Sequence, residues 1–228
     1  MENQTVKMEK WRTVREFTRN EEIAHAATHG AGALLGVLGL ILLITKASAV
    51  SSIALASVLI FGISIILLYA ASSNYHVTCA IWGDYKPSRL RDLCMKIDHS
   101  TIYLLILGTY APVCLAGIGG VVGTLVFLIV LITSVVGFML NMIDVTKFAK
   151  VSLALYLIAG WTIAAVIYPC FKAMGWSGIL LLTVGGVVYT AGVVFFRMKK
   201  VKYMHVVWHI CVISGTLLHY LMIYLCVL

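Results

Sequence analysis

Charged residues divide the chain into long uncharged stretches. These run over residues 23–45, 47–83, 99–143, 151–171, 173–196 and 203–228. A helix that crosses the hydrocarbon core of a bilayer needs roughly 20 apolar residues, and every stretch supplies them. The stretch over 99–143 is long enough for two helices. Its natural break is Gly117-Ile118-Gly119-Gly120, where glycines suit a tight turn between hydrophobic blocks. The pattern therefore predicts an all-α polytopic membrane protein with seven transmembrane helices, over about Ala27–Thr45, Ser51–Tyr75, Thr101–Ala116, Val121–Met142, Val151–Tyr168, Ser177–Phe196 and His205–Leu228. A polar segment, residues 1–24, precedes a single helical domain over 25–228.

Composition agrees with that class. The chain is 61% hydrophobic and 11% charged, whereas soluble domains carry about 25% charged residues. The first apolar stretch follows the polar segment and exceeds the length of a signal-peptide core, so it is expected to stay as an anchor. Six cysteines are scattered without a C-x-x-C pair, which gives neither a disulfide framework nor a cysteine metal site.

Lysine and arginine placement sets an orientation. With the N-terminus in the cytoplasm, all of the 17 basic residues except Lys46 and Lys172 fall on the inner side, as the retention of positive loops demands. The C-terminus is then outside, and the chain belongs in the cell membrane. The net charge of +8 follows from topology and attraction to anionic inner-leaflet lipid. Nucleic-acid binding is not expected, because the basic residues are dispersed over short loops without interleaved aromatics.

Within the segments, residues 1–24 read as an amphipathic helix on the membrane surface, with Trp11 and Phe17 dipping in. Gly32-x-x-x-Gly36 is a helix-packing spacing. Pro112 removes a backbone donor and predicts a kink or an end to the third helix.

Candidate chemistry collects at one depth. His76 lies at the inner end of the second helix, Asp98 and His99 at the inner start of the third, and His205 and His209 at the inner start of the last. Histidines four apart share a helix face, and His76 supplies a third imidazole from another helix, leaving a fourth position for water. Zinc suits three neutral imidazoles, although copper and nickel accept them as well. Asp98 alone also fits a helix N-cap. Glu21, His25 and His29 recur every four residues near the first helix, and Glu22 sits beside them. They are read either as partners of metal-bound histidines or as groups solvating the interface, with solvation favoured for His25. His219, ten residues beyond His209 and about 15 Å along a helix, is too far to join them.

These residues resemble the haemolysin-III branch of the progestin and adipoQ receptor family. The resemblance rests on Glu22 with Thr28-His29-Gly30, Ser72-Ser73-Asn74-Tyr75-His76, Asp98-His99-Ser100-Thr101-Ile102-Tyr103 leading to Gly108-Thr109-Tyr110-Ala111-Pro112, and His205-Val206-Val207-Trp208-His209. It implies a seven-helix bundle with a cytoplasmic N-terminus and zinc held by His76, His205 and His209. It places Asp98 beside the metal or its water and Ser72 near the site. It also implies kinship with alkaline ceramidases, which cleave lipid amides at an intramembrane zinc centre. The chain as given lacks the extra N-terminal domain of the animal hormone receptors, which weakens hormone sensing.

The expected function is zinc-dependent hydrolysis of an amide or ester in an acyl lipid, with Asp98 and Ser72 as catalytic candidates and His29, Glu22 and Asp98 as supporting groups. The alternative is a non-catalytic, zinc-stabilised sensor of lipid or energy state. A pore is disfavoured, since polar groups gather at one end and do not line the full depth.

Overall fold

The computed structural model describes residues 17–82 and 88–228, and these form helices and turns with no strand among them. Trp11, and with it most of the predicted interfacial segment, lies outside the described residues. The first helix, α1, spans Arg19–Ala47 without a break, so residues 19–24 continue directly into the apolar stretch. Thr18 starts it with a capping box: its hydroxyl accepts from Glu21 N, and the Glu21 carboxylate accepts from Thr18 N. Two backbone donors that the first turn leaves open are thereby satisfied.

Helix α2 covers Ser52–Trp82 and α3 covers Arg89–Ala111. Both extend past their predicted inner ends, so His76 and Asp98 stand within helices. Ser88 caps α3 through Arg91 N, which removes the N-cap role considered for Asp98. At Pro112 the helix widens into a π-turn over Pro112–Ile118, the local adjustment expected where proline deletes a ladder donor. Gly119 (φ 65°) and Gly120 (φ 57°) then reverse the chain in the left-handed region, which costs a residue with a Cβ 1–2 kcal/mol or so.

Helix α4 runs Gly120–Asp144. After it come α5 (Ala149–Trp161), a 3₁₀ turn (Thr162–Val166) and α6 (Ile167–Arg197), continuous as one helical stretch. The last helix, α7, covers Met204–Met222 and widens into a π-turn at Ile223–Val227. Among the described residues, six helical stretches are long and apolar enough to cross a membrane. The stretch over Ala149–Arg197 has 49 residues, about 73 Å if straight, against about 30 Å of hydrocarbon. It is not straight: Gly175 (φ 65°, ψ −171°) interrupts it, and Trp161 Nε1 donates to Thr190 Oγ1 at 3.1 Å. The chain folds back on itself inside this stretch.

Helices α2 and α3 are the most buried, while α1, α5 and α6 present large apolar side chains such as Leu34, Leu38 and Leu180 outward. This is the arrangement expected of a bundle whose solvent is lipid. Helix α2 packs between α1 and α3, α7 packs on α6, and α7 also touches α1, which closes the ring. Gly32 and Gly36 perform the packing role their spacing predicts. A Cβ on Gly32 would meet the Tyr69 ring at 3.0 Å, and one on Gly36 would meet Ile65 at 2.9 Å. That close approach fixes the rotation of α1 about its own axis, and so decides which of its polar residues face the interior.

Candidate metal centre

The rotation of α1 carries Glu21, Glu22, His25 and His29 inward, and all four are buried. Glu21 spans two elements: beyond its capping role, it accepts from Tyr203 N at 2.9 Å. Tyr203 (φ 62°) is the N-cap of α7, so the start of α1 holds the start of α7 in place. The first two turns of α7 then present His205 and His209 toward His76 of α2. One nitrogen from each of these three residues lies within 4.8 Å of the other two.

Each nitrogen's neighbours assign its proton. His76 Nδ1 lies 2.6 Å from Glu22 Oε2, and an ionised carboxylate only accepts. The proton therefore sits on Nδ1 and the lone pair on Nε2. That Nε2 is buried and has no hydrogen-bond partner, a desolvation cost that a bound cation would offset. His209 Nδ1 lies 3.3 Å from the His25 carbonyl oxygen and 3.2 Å from Thr28 Oγ1. A carbonyl likewise only accepts, so His209 also keeps Nε2 free. Thr28 gives its own proton to the Ala24 or His25 carbonyl and can accept from His209. A carboxylate or carbonyl on the far nitrogen is the usual way a protein orients a metal-binding imidazole. The donor set and the orphaned nitrogen both fit a metal ion.

His205 and His209 open on a cavity of about 170 Å³ whose wall includes His29, Ser72, Asp98 and His99 at one end and Tyr110, Trp161, Tyr189 and His219 further along. The other lining side chains are mostly apolar. Asp98 and Ser72 are on the cavity wall, and neither belongs to a cluster of potential ligand atoms among the described residues. The Asp98 carboxylate lies 3.7 Å from His99 Nδ1, which also faces the Met95 carbonyl at 3.0 Å. His29 stacks on His209 with ring centroids 3.6 Å apart.

The structure corrects the expectation for His25. It does not solvate the interface: its side chain is fully buried, with ring centroids 4.7 Å from His76, 4.8 Å from His205 and 5.4 Å from His209. Its spacing with Glu21 and His29 on one helix face was the available signal, but nothing in the sequence said which way that face turns. Glu22 lies against His76 Nδ1, and His219 stays apart, with Nε2 on the Leu182 carbonyl at 3.1 Å.

Comparison with known proteins bears on the same residues. A family profile described as haemolysin-III related matches residues 17–220. The chain belongs to the haemolysin-III-related family. It is 35% identical over 201 residues to the hemolysin-3 homolog of Bacillus subtilis (strain 168), covering 88% of this chain and 91% of that protein. It is 35% identical over 221 residues to hemolysin-3 of Bacillus cereus, covering 96% and 95% respectively. A more distant similarity, 28% over 166 residues, joins it to the human monocyte to macrophage differentiation factor, covering 71% of this chain and 66% of that one. The matched family region includes Glu22, His25, His29, Ser72, His76, Asp98, His205 and His209.

Proposed function

We propose that this haemolysin-III-family membrane protein is a zinc-dependent hydrolase of amide or ester bonds in acyl lipids. The observation that carries the proposal is the pairing of His76 Nε2, buried and without a partner, with two further histidines at the polar end of an otherwise apolar cavity. His76, His205 and His209 would hold the ion, and a zinc ion with three imidazole ligands supplies a Lewis acid and a water acidified toward neutral pH. Asp98, on the same wall, takes up the proton of the attacking water and returns it to the leaving group. Ser72 offers a hydroxyl for hydrogen bonding the polar head of the scissile group. The apolar remainder of the cavity, from Ile102 and Leu105 to Trp161, receives the acyl chain and keeps bulk water out. At about 170 Å³ it is smaller than the ~300 Å³ of a small drug site, so the reacting end enters and the rest of the lipid stays in the bilayer.

Topology is part of the same proposal. The fold-back between Trp161 and Thr190 supports two crossings within Ala149–Arg197 and seven in all. The basic loops favour a cytoplasmic N-terminus, an outer C-terminus and a metal site toward the cytoplasmic face of the cell membrane. A zinc-stabilised sensor without turnover uses the same three ligands and is separated by product analysis.

The test is to incubate purified protein with ceramide, diacyl phospholipid and acyl ester substrates in mixed micelles and to follow released fatty acid by mass spectrometry. Turnover is expected with zinc, and is expected to disappear in His209→Ala and to fall at least a hundredfold in Asp98→Asn. No product from any lipid at stoichiometric enzyme, with zinc bound, sinks the hydrolase and leaves the sensor.

A further inference from the structure

The geometry points to a second divalent-cation position formed by Glu22, His25 and His76, which shares His76 with the three-histidine position. This rests on the metal reading above. The three side chains offer ligand atoms within 4.8 Å of one another, and their exposures are 4%, 0% and 1%. A glutamate with two histidines is a donor set that zinc enzymes use with a further position left for water.

Three observations separate this cluster from a simple orienting carboxylate. Glu22 Oε2 faces two imidazoles at once, His76 Nδ1 at 2.6 Å and His25 Nδ1 at 3.5 Å. The shorter contact is a strong hydrogen bond. The longer one is at the limit for a hydrogen bond but matches the spacing of about 3.4 Å between two ligands on a tetrahedral ion with bonds near 2.05 Å. Second, the ion-pair partners of Glu22 among the described residues are these two histidines, with neither lysine nor arginine against it. A buried carboxylate requires compensating positive charge, and a divalent ion supplies it where neutral imidazoles do not. Third, His25 Nε2 is buried without a hydrogen-bond partner, so orienting His76 does not account for a polar ring at this position.

His76 has one nitrogen toward each position. With both occupied, His76 would offer Nε2 to the first ion and Nδ1 to the second, as an imidazolate shared between them. The proton on His76 Nδ1 would leave for solvent, the single proton of His25 would stand on Nε2, and Glu22 would move off Nδ1 by about 0.8 Å to reach ligand spacing. Binding of the second ion therefore releases one proton.

Metal content decides the matter. The full chain, purified in detergent micelles, is saturated with Zn²⁺, freed of excess and analysed by mass spectrometry for metal per chain. Two ions are expected for the native protein, one for His25→Asn, one for Glu22→Gln and one for His205→Ala. Loading with Cu²⁺ adds a readout that a merely structural role would not move. The bridged pair couples magnetically and loses electron paramagnetic resonance intensity, and His25→Asn restores the full signal of a single copper. The proposal is overturned by a native count of one that His25→Asn and Glu22→Gln both leave unchanged. It is also overturned by two uncoupled coppers. If the native count is one, His205→Ala and His209→Ala leave it unchanged and His25→Asn abolishes it, the three-histidine reading fails and the second position stands.

Discussion

Replacing His209 by alanine probes the three-histidine position most directly. The ring is 1% exposed, stacks on His29 and faces the His25 carbonyl with Nδ1. Four-ligand zinc sites bind with about 10–16 kcal/mol, or about 3 kcal/mol per ligand. Loss of one of three ligands should therefore weaken binding by roughly 100-fold or more. The measurement is competition with a chromogenic chelator, carried out in a His25→Asn background so that only one position is read. His219→Ala is the paired control. That residue is on the same helix and also buried, loses a hydrogen bond to Leu182, and belongs to neither ligand cluster. Both variants should lose stability, since each leaves a cavity where an imidazole was. Only His209→Ala should lose metal. Zinc affinity within threefold of the parent, or an equal loss in His219→Ala, would refute the assignment.

Acidification should release the metal. Ligand imidazoles bind only when neutral, and the ordinary histidine pKa is about 6.5, so protons compete as pH falls. Affinity is expected to be full above about pH 7 and to drop more than tenfold per unit below about pH 6, measured by the same competition; flat affinity from pH 8 to 5 would contradict histidine ligation. Gly137→Ala should destabilise the bundle by about 1–3 kcal/mol, because the new Cβ would fall 1.9 Å from the Tyr103 ring, whose hydroxyl holds Ser152 at 3.0 Å. Gly160→Ala, with nothing within 4 Å of its Cβ, should leave the melting temperature in detergent unchanged. Thr216→Val removes the hydroxyl that Tyr69 and Tyr189 both contact at 2.7 Å. At about 0.6 kcal/mol per hydrogen bond between membrane helices, the loss should be about 1 kcal/mol in the same assay, and a variant more stable than the parent would show that those bonds do not stabilise the bundle.

Each uncharged stretch carries a helix, because lipid admits few charges and each crossing needs a minimum length, although α1 begins at Arg19 and α3 at Arg89, well before the predicted Ala27 and Thr101. The stretches could not place the helix ends nearest the histidines: α2 and α3 continue through polar turns around His76 and Asp98, where hydropathy has already faded but the backbone ladder has not. His205 and His209 were legible as a pair because four-residue spacing acts within one helix, and joining them to His76 needed only common depth. The place of His25 was a different kind of question. Whether the Glu21–His25–His29 face meets lipid headgroups or the bundle interior depends on the roll of α1, and that roll is set by Gly32 and Gly36 against Tyr69 and Ile65 of another helix. Composition and periodicity carry depth along the membrane normal, since solvation imposes it residue by residue. Only tertiary packing, through contacts between helices distant in sequence, decided that Glu22 and His25 stand against His76, His205 and His209.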